Sequence, residues 1–394
     1  MQGKKFLHSI RLRNLLSYGS EGTELALEPL NVLIGPNASG KSNLIEAISL
    51  LAAAPRDLPK PIREGGGVTE WIWKGGGASK PVAELEVKVN LNEAIGYRYE
   101  LGLMEESGRS RLIDEAFSNR TGPEPEPFEY YSFRRGRPVI QVRVPGEEQR
   151  QEHQLTDISL DQSILSQFRG DSYPELTWIA KQFEAIRFFR EWSFSRFGEV
   201  RKPQRVDLPD DFLLEDASNL ALIINDLQNR VETKKLLLEK LKLFSDRVED
   251  LTTKVQGGRI QIFLHETGLR SPIPMERLSD GTLHYLCLLA ILCHPEPPPL
   301  ICLEEPELGL HPDILPTIAD LLIEASRKTQ LIVTTHSETL VSRLSEFPEA
   351  VVVCDRDDAG TRLHRLEPAK LQEWLERYAL GEVWRMGELG GNRW

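Results

Sequence analysis

The sequence predicts an α/β fold: a mixed sheet around a phosphate-binding loop, an antiparallel β insertion and a short helical-hairpin lobe. Three observations lead there. The stretch Gly35-Pro36-Asn37-Ala38-Ser39-Gly40-Lys41-Ser42 fits G-x-x-x-x-G-K-[ST], with an apolar run before it and a helical one after it. A second apolar run, Leu300-Ile301-Cys302-Leu303, ends in Glu304, Glu305 and Glu307. A third, Leu331-Ile332-Val333-Thr334-Thr335, ends in His336.

Taken in order, residues 6–13 alternate apolar and polar and read as a half-buried strand. Residues 14–22 form a turn region and 23–27 a second short strand. The run 30–34 is a buried strand leading into the loop, and 43–51 a helix leaving it. Glycines let backbone N–H groups turn toward phosphate, and the helix N-terminus adds partial positive charge. Lys41 is expected to reach the β- and γ-phosphates and Ser42 to ligate Mg²⁺. The competing reading is a plain glycine turn before a helix, which the flanking strand and helix disfavour.

From 54 to about 173 the character changes. Two glycine triplets, 65–67 and 75–77, bracket a Trp-Ile-Trp stretch and read as loops between strands. Segments 82–91, 97–103, 129–134 and 139–144 alternate and predict antiparallel strands, with a Pro- and acid-rich loop at 122–127. Residues 182–205 interleave Arg187, Arg190, Arg196, Arg201, Lys202 and Arg205 with Phe188, Phe189, Trp192, Phe194 and Phe197. Guanidinium groups beside aromatic faces suit nucleic acid. Pairing of these arginines with the chain's surplus carboxylates is the stronger alternative. Residues 130–143 are a weaker version of the same pattern. Apolar spacing over 216–255 (Leu220, Ile224, Leu227, Val231, then Leu237, Leu241, Phe244, Val248, Leu251) predicts two packed helices, ended by Gly257-Gly258.

Near the C-terminus, Leu278-Ser279-Asp280-Gly281-Thr282 precedes a nearly all-apolar helix that Ser279 can cap. Carboxylates at the end of the strand at 300–303 stand where α/β folds place metal and catalytic groups. One would hold Mg²⁺ and its neighbour polarise an attacking water. Residues 308–312 turn into another helix, and a histidine at a strand end, His336, can meet a γ-phosphate. Asp355, Asp357 and Asp358 read as a turn after a core strand rather than a metal site. Pro368 starts a helix with Leu371, Trp374, Leu375 and Tyr378 on one face, ended by Gly381 and packed on the rest of the fold.

Bulk properties narrow the class. The 394 residues are 40% hydrophobic and 27% charged, ample for one large domain or two smaller ones. The net charge of −12 argues against a generally basic nucleic-acid coat but allows a local basic groove. No apolar run is long enough to span a bilayer, and the four cysteines share no metal spacing. Both point to a cytoplasmic protein without membrane contact.

In this order the pieces resemble the ATP-binding-cassette ATPases of the RecF/SMC type, closest to small stand-alone bacterial RecF-like ATPases. Residues 35–42 match Walker A, 278–282 the signature motif, 300–305 Walker B, 307–311 the D-loop, and His336 the switch histidine. The resemblance covers the N-terminal strands through the loop and resumes from 260 to 355; the middle matches only in layout. It implies an ABC-type head of P-loop NTPase fold that binds ATP and Mg²⁺ and dimerises head-to-tail on ATP. Gly35, Asn37, Ala38, Ser39, Gly40, Lys41, Ser42 and Asn43 would cradle the nucleotide, and Ser279 and Gly281 would reach the γ-phosphate across the dimer. Ser42 and Glu304 would serve the metal, while Glu305, His336 and Lys41 would carry hydrolysis. The chain departs from the family pattern in carrying Glu304 where Asp is usual. Gln182 and Gln204 are the candidates for the Q-loop glutamine, and Arg13 is one for an adenine contact where Leu16 replaces the arginine of some relatives.

The expected division is a head of 1–54 with 256–394, a β insertion of 55–180, and a basic segment with hairpin lobe at 181–255. The expected function is an ATP-driven switch acting on or near DNA in repair, chromosome maintenance or phage defence. The alternative is an ATPase subunit controlling a partner toxin or nuclease encoded nearby. A transporter ATPase is disfavoured by the signature wording and the size of the insertion. A long-armed SMC protein is disfavoured by the hairpin, roughly 30 Å at 1.5 Å per residue, and a metal-dependent nuclease domain after the head by the thirty-nine residues that follow Asp355.

Overall fold

The computed structural model describes residues 2–76, 80–90, 96–119, 128–134, 136–142, 151–195 and 198–391. The expected loop at 122–127, the ends of the segments at 82–91 and 139–144, and Gly77, Arg143, Arg196 and Phe197 lie wholly or partly outside these residues.

Strands β1 (Leu7–Arg13) and β2 (Thr23–Ala26) precede β3 (Leu30–Ile34), the phosphate loop and helix α1 (Lys41–Ala53). Two short helices follow, α2 (Pro59–Glu64) and α3 (Val68–Trp71). Strands β4 (Ala83–Asn90), β5 (Gly96–Glu106), β6 (Arg109–Asn119), β7 (Phe128–Arg134), β8 (Arg137–Val142) and β9 (Gln151–Gln154) come next. Then come α4 (Ile164–Gln167), α5 (Pro174–Glu184), β10 (Arg187–Phe189), β11 (Gln204–Arg205), α6 (Leu220–Asn229) and α7 (Val231–Phe244). After β12 (Val248–Gln256), β13 (Arg259–Glu266) and β14 (Ile273–Pro274), the chain forms α8 (Asp280–Leu292), β15 (Leu300–Glu304), α9 (Leu315–Ala325) and β16 (Gln330–Thr334). It ends with α10 (Glu338–Ser342), β17 (Val351–Asp357), β18 (Gly360–Arg365), α11 (Pro368–Leu375) and α12 (Leu380–Arg385).

The central sheet runs β10-β15-β16-β3-β17-β18, parallel except for the β17–β18 hairpin. Its inner strands are buried on both faces, which explains their largely apolar runs. Successive side chains feed two cores. Val32, Ile34, Ile301, Leu303, Leu331 and Val333 join the core that holds α8 and α9, while Leu33, Leu300, Cys302 and Ile332 join the core beneath α1 and α5. Helix α8 is buried on nearly every side, consistent with its lack of a polar face.

Strands β2-β1-β4-β5-β6-β7-β8-β9 form a second, antiparallel sheet packed into the α1 core. The buried Gln330 side chain stitches the sheets together. It accepts from Phe6 N and Leu7 N and donates to Leu7 O and Glu28 O, so a buried amide meets its hydrogen-bonding needs. The four cysteines are buried and unpaired. Among the described residues no helix is long and apolar enough to cross a membrane.

Several expectations are corrected. Val248 and Leu251 belong to strand β12, and Gly257-Gly258, at φ 59° and 72°, form the turn of the β12–β13 hairpin rather than a helix end. The helices α6 and α7 are ten and fourteen residues, about 15 and 21 Å. They lie in the core against α8, where Tyr285 stacks on Phe244 and donates to Lys240 O at 2.9 Å. The first glycine triplet joins α2 to α3 instead of two strands. Gly381 sits inside α12, pressed against Glu338 O, and does not end α11. Strand β1 joins the antiparallel sheet and β10 the parallel one, so each sheet draws strands from separated parts of the chain.

Candidate functional site

The parallel register levels three strand ends. Glu304 pairs with Thr334 and Thr334 with Leu33, so the phosphate loop, the carboxylates and the turn to His336 emerge together at the C-terminal edge. Gly40, at φ 102°, precedes α1 without any side-chain cap, leaving the first N–H groups of the helix free to face an anion. The loop is braced from behind. Tyr18 donates to Gly40 O at 3.1 Å and Thr361 to Ser39 O at 2.9 Å. A Cβ on Gly40 would stand 2.3 Å from the Thr361 hydroxyl, and one on Gly35 would stand 2.2 Å from Cys354 O. Those two glycines are required by both backbone angle and space.

Lys41 is almost fully buried and bends back to donate to Gly35 O at 2.8 Å and Pro36 O at 3.0 Å. Burial lowers its pKa, while the neighbouring Cys354 and Glu305 oppose that shift. The side chain of Glu304 accepts a hydrogen bond from Ser42, and burial raises its pKa. Glu305 adopts φ 45°, a left-handed conformation that costs a non-glycine residue roughly 1–2 kcal/mol. Its N–H donates to Thr334 O at 3.0 Å. That strained turn directs its carboxylate to His336, with Oε1 3.6 Å from Nε2. Burial and the Lys41 charge lower the His336 pKa, which keeps the ring neutral near pH 7. Glu307 braces this turn from within, accepting from Thr335 Oγ1 at 2.6 Å and His336 N at 2.8 Å.

Ser279 caps α8, accepting from Thr282 N at 3.0 Å, and is exposed. Gly281 faces Gly309 O and Leu310. Gly281 therefore lies beside the turn after β15, and the contacts of Ser279 are to Thr282 of its own helix. Arg201 fixes the motif from below, donating to Leu278 O and pairing with Asp280.

Oxygen donors suit Mg²⁺, which takes few ligands from protein and the rest from phosphate and water. The Ser42 hydroxyl against Glu304, the uncapped helix start and a buried Ser39 Oγ without a hydrogen-bond partner fit that ion with a polyphosphate. Ser42, Glu304 and Glu46 also border a cavity of about 1070 Å³.

The candidate accessory residues are placed differently from expectation. Gln204 is buried, accepting from Ala221 N and donating to Ala217 O. Gln182 lies within α5 rather than at a strand end. Neither reaches the strand edge, so the Q-loop expectation fails for both. The residue that follows β10 beside β15 is Arg190, whose Nε is 3.5 Å from Glu304 Oε1. Arg13 pairs with Glu84. Most described arginines of the basic segment are likewise engaged within the chain. Arg187 donates to Glu184 O, Arg205 pairs with Asp207, and Trp192 and Phe194 pack on His284 of α8. Asp357 belongs to the β17–β18 turn, and no metal-binding cluster of acidic, His or Cys residues occurs among the described residues.

Fold and site together resemble those of ABC-type ATPases of the RecF/SMC-related class. Residues 30–342 match the family described as "AAA domain, putative AbiEii toxin, Type IV TA system", and the chain belongs to that family. A stretch of 47 residues is 47% identical to the DNA replication and repair protein RecF of Gloeobacter violaceus, spanning 12% of this chain and 12% of that protein. Among solved structures, the SmcHead bound to the C-winged helix domain of ScpA covers 93% of this chain and 99% of its own, with TM-score 0.57 and 15% identity. The Smc head domain with an extended coiled coil from Pyrococcus furiosus, bound to the C-terminal domain of ScpA, covers 94% and 98%, with TM-score 0.56 and 15% identity.

Proposed function

We propose that this protein binds and hydrolyses ATP as a switch that closes into a head-to-tail homodimer. The observation that carries this reading is the meeting of Lys41, the Ser42–Glu304 pair, Glu305 and His336 across three strand ends, while Gly281 lies beside the turn after β15 and Ser279 contacts Thr282 of its own helix. Half of a site gathers on one chain, and the other half is supplied by a second copy.

In this reading Gly35, Asn37, Ala38, Ser39, Gly40 and Asn43 cradle the phosphates, and Lys41 leaves its own carbonyls for them. Ser42 and Glu304 would hold Mg²⁺, which when bound would neutralise phosphate charge. Glu305 orients water for in-line attack, and neutral His336 contacts the γ-phosphate. Ser279 and Gly281 close on that phosphate from the partner. ATP biases the dimer toward the closed state and hydrolysis releases it. The division into a head of 1–54 with 256–394, a β insertion of 55–180 and a lobe of 181–255 is retained as a proposed division of labour.

A mixing experiment tests the composite site. Lys41→Ala spoils one half and Ser279→Arg the other, so each variant alone is inactive. Mixed chains regain roughly a quarter of wild-type turnover, because half the dimers pair unlike chains and each of those has one complete site. No recovery on mixing, with both variants folded, contradicts a shared site.

For the downstream role, the RecF stretch and the Smc-head fold favour action on or near DNA in repair, chromosome maintenance or defence. The internal engagement of the basic segment and the net charge of −12 favour the second reading, an ATPase that controls a partner effector. A salt-dependent DNA titration with ATP separates them: no binding at low salt removes the first.

A further inference from the structure

The charge at the metal position is set by a residue that the nucleotide-site roles above do not use. Strand β10 is parallel to β15 in a register that pairs Phe188 with Cys302 and Phe189 with Leu303. The next residue, Arg190, is thereby held level with Glu304, with Nε 3.5 Å from Oε1. Its guanidinium lies 5.5 Å from the centre of the Phe188 ring, which favours this orientation. Ser42 donates to the same Glu304 side chain. One carboxylate thus meets the fixed arginine and the hydroxyl assigned to Mg²⁺.

We propose that Arg190 is a positioning residue that competes with Mg²⁺ for Glu304 and so sets how much Mg²⁺ is needed to bind the nucleoside triphosphate. The inference rests on the ATP-site reading above. A unit positive charge this close to a metal-assigned carboxylate disfavours a divalent cation beside it. The guanidinium has other partners when Glu304 turns to the metal. Glu46 and Glu215 line the same cavity and both interact electrostatically with Arg190. The exchange therefore moves the arginine from one carboxylate to others without leaving it unpaired. While the metal is away, the Arg190 charge also offsets the repulsion that Glu305 and Glu46 exert on Glu304.

The test measures binding, not turnover. In a Glu305→Gln background, a fluorescent ATP derivative is titrated at fixed concentration with Mg²⁺, and binding is repeated in EDTA. Arg190→Ala and Arg190→Gln are expected to lower the half-saturating Mg²⁺ by about three- to tenfold. Arg190→Lys, which keeps the charge, stays within about twofold of its parent. Binding in EDTA is unchanged in all three. Two neutral variants guard against a single misfolded protein, and thermal melting confirms that each is folded. Unchanged or raised Mg²⁺ demand in folded neutral variants overturns the proposal. So does weakened binding in EDTA, which would make Arg190 a phosphate ligand. A parent that binds no nucleotide under any condition contradicts the ATP-site reading itself, an outcome distinct from either.

Discussion

At the level of single residues, Glu305 concentrates strain and chemistry in one place. Its left-handed backbone angle turns the carboxylate from the strand axis toward His336. Strain of this kind persists where the surroundings over-determine it, and it clusters at functional positions. Glu305→Gly relieves the backbone and is expected to raise stability by up to about 1 kcal/mol, the left-handed penalty less the entropy of glycine. It should do so while abolishing hydrolysis. An upward shift in melting temperature with no ATPase activity supports this, and a lowered melting temperature contradicts it. Residue-level reading of the sequence named Lys41, Ser42, Glu304, Glu305 and His336 from motif spacing, and the structure brings them to one edge of the sheet. It grouped Arg190 with the arginines of the basic segment, for which pairing with surplus carboxylates was the stronger reading, but did not identify Glu304 as its partner. The two residues lie far apart in the chain, and only the β10–β15 register joins them.

Among elements, α8 links the signature turn to the interior. His284 on this helix is enclosed by Trp192 and Phe194, with ring centroids 4.8 and 5.4 Å away. Burial pushes its pKa down to about 4, opposed by a hydrogen bond to the Leu308 backbone. The unfolded chain takes up this proton near 6.5, whereas the folded chain does so only near 4. Stability from neutral His284 is therefore full above pH 6.5 and declines as pH falls toward 4, by at most about 3 kcal/mol. Melting curves of His284→Phe should lose that part of the acid sensitivity; equal pH slopes for variant and wild type would refute it. Gly40→Ala is expected to destabilise the phosphate loop and abolish nucleotide binding, since the added methyl meets Thr361 and Ser17. Nucleotide binding at wild-type affinity would contradict that.

Element assignment from sequence succeeded where one physical signal dominated. Runs such as Leu30–Ile34 and Leu300–Glu304 are apolar because parallel strands are buried on both faces. It failed after Phe244, where Val248 and Leu251 happen to continue a helical spacing, although Thr252, Thr253 and Val255 carry strand-favouring β-branched chains. It also passed over β6, whose inward positions include the buried carboxylate of Glu115. Tyr99, Ser163 and the Ile164 N–H satisfy that group, and two of these partners come from beyond the strand pair. No apolar alternation marks such a strand.

For the whole molecule, the account rests on ATP joining two copies through a site that neither completes alone. Ser279 and Gly309 are exposed, Gly281 packs beside the Gly309 turn, and the fold is that of Smc heads. The most direct measurement is the mass of the Glu305→Gln protein in solution with Mg²⁺ and ATP, with ADP, and without nucleotide. The account predicts a dimer with ATP alone and a smaller species in the other two conditions, with the dimer lost when Lys41→Ala is added. A protein that binds ATP yet keeps one mass in all three conditions would contradict it.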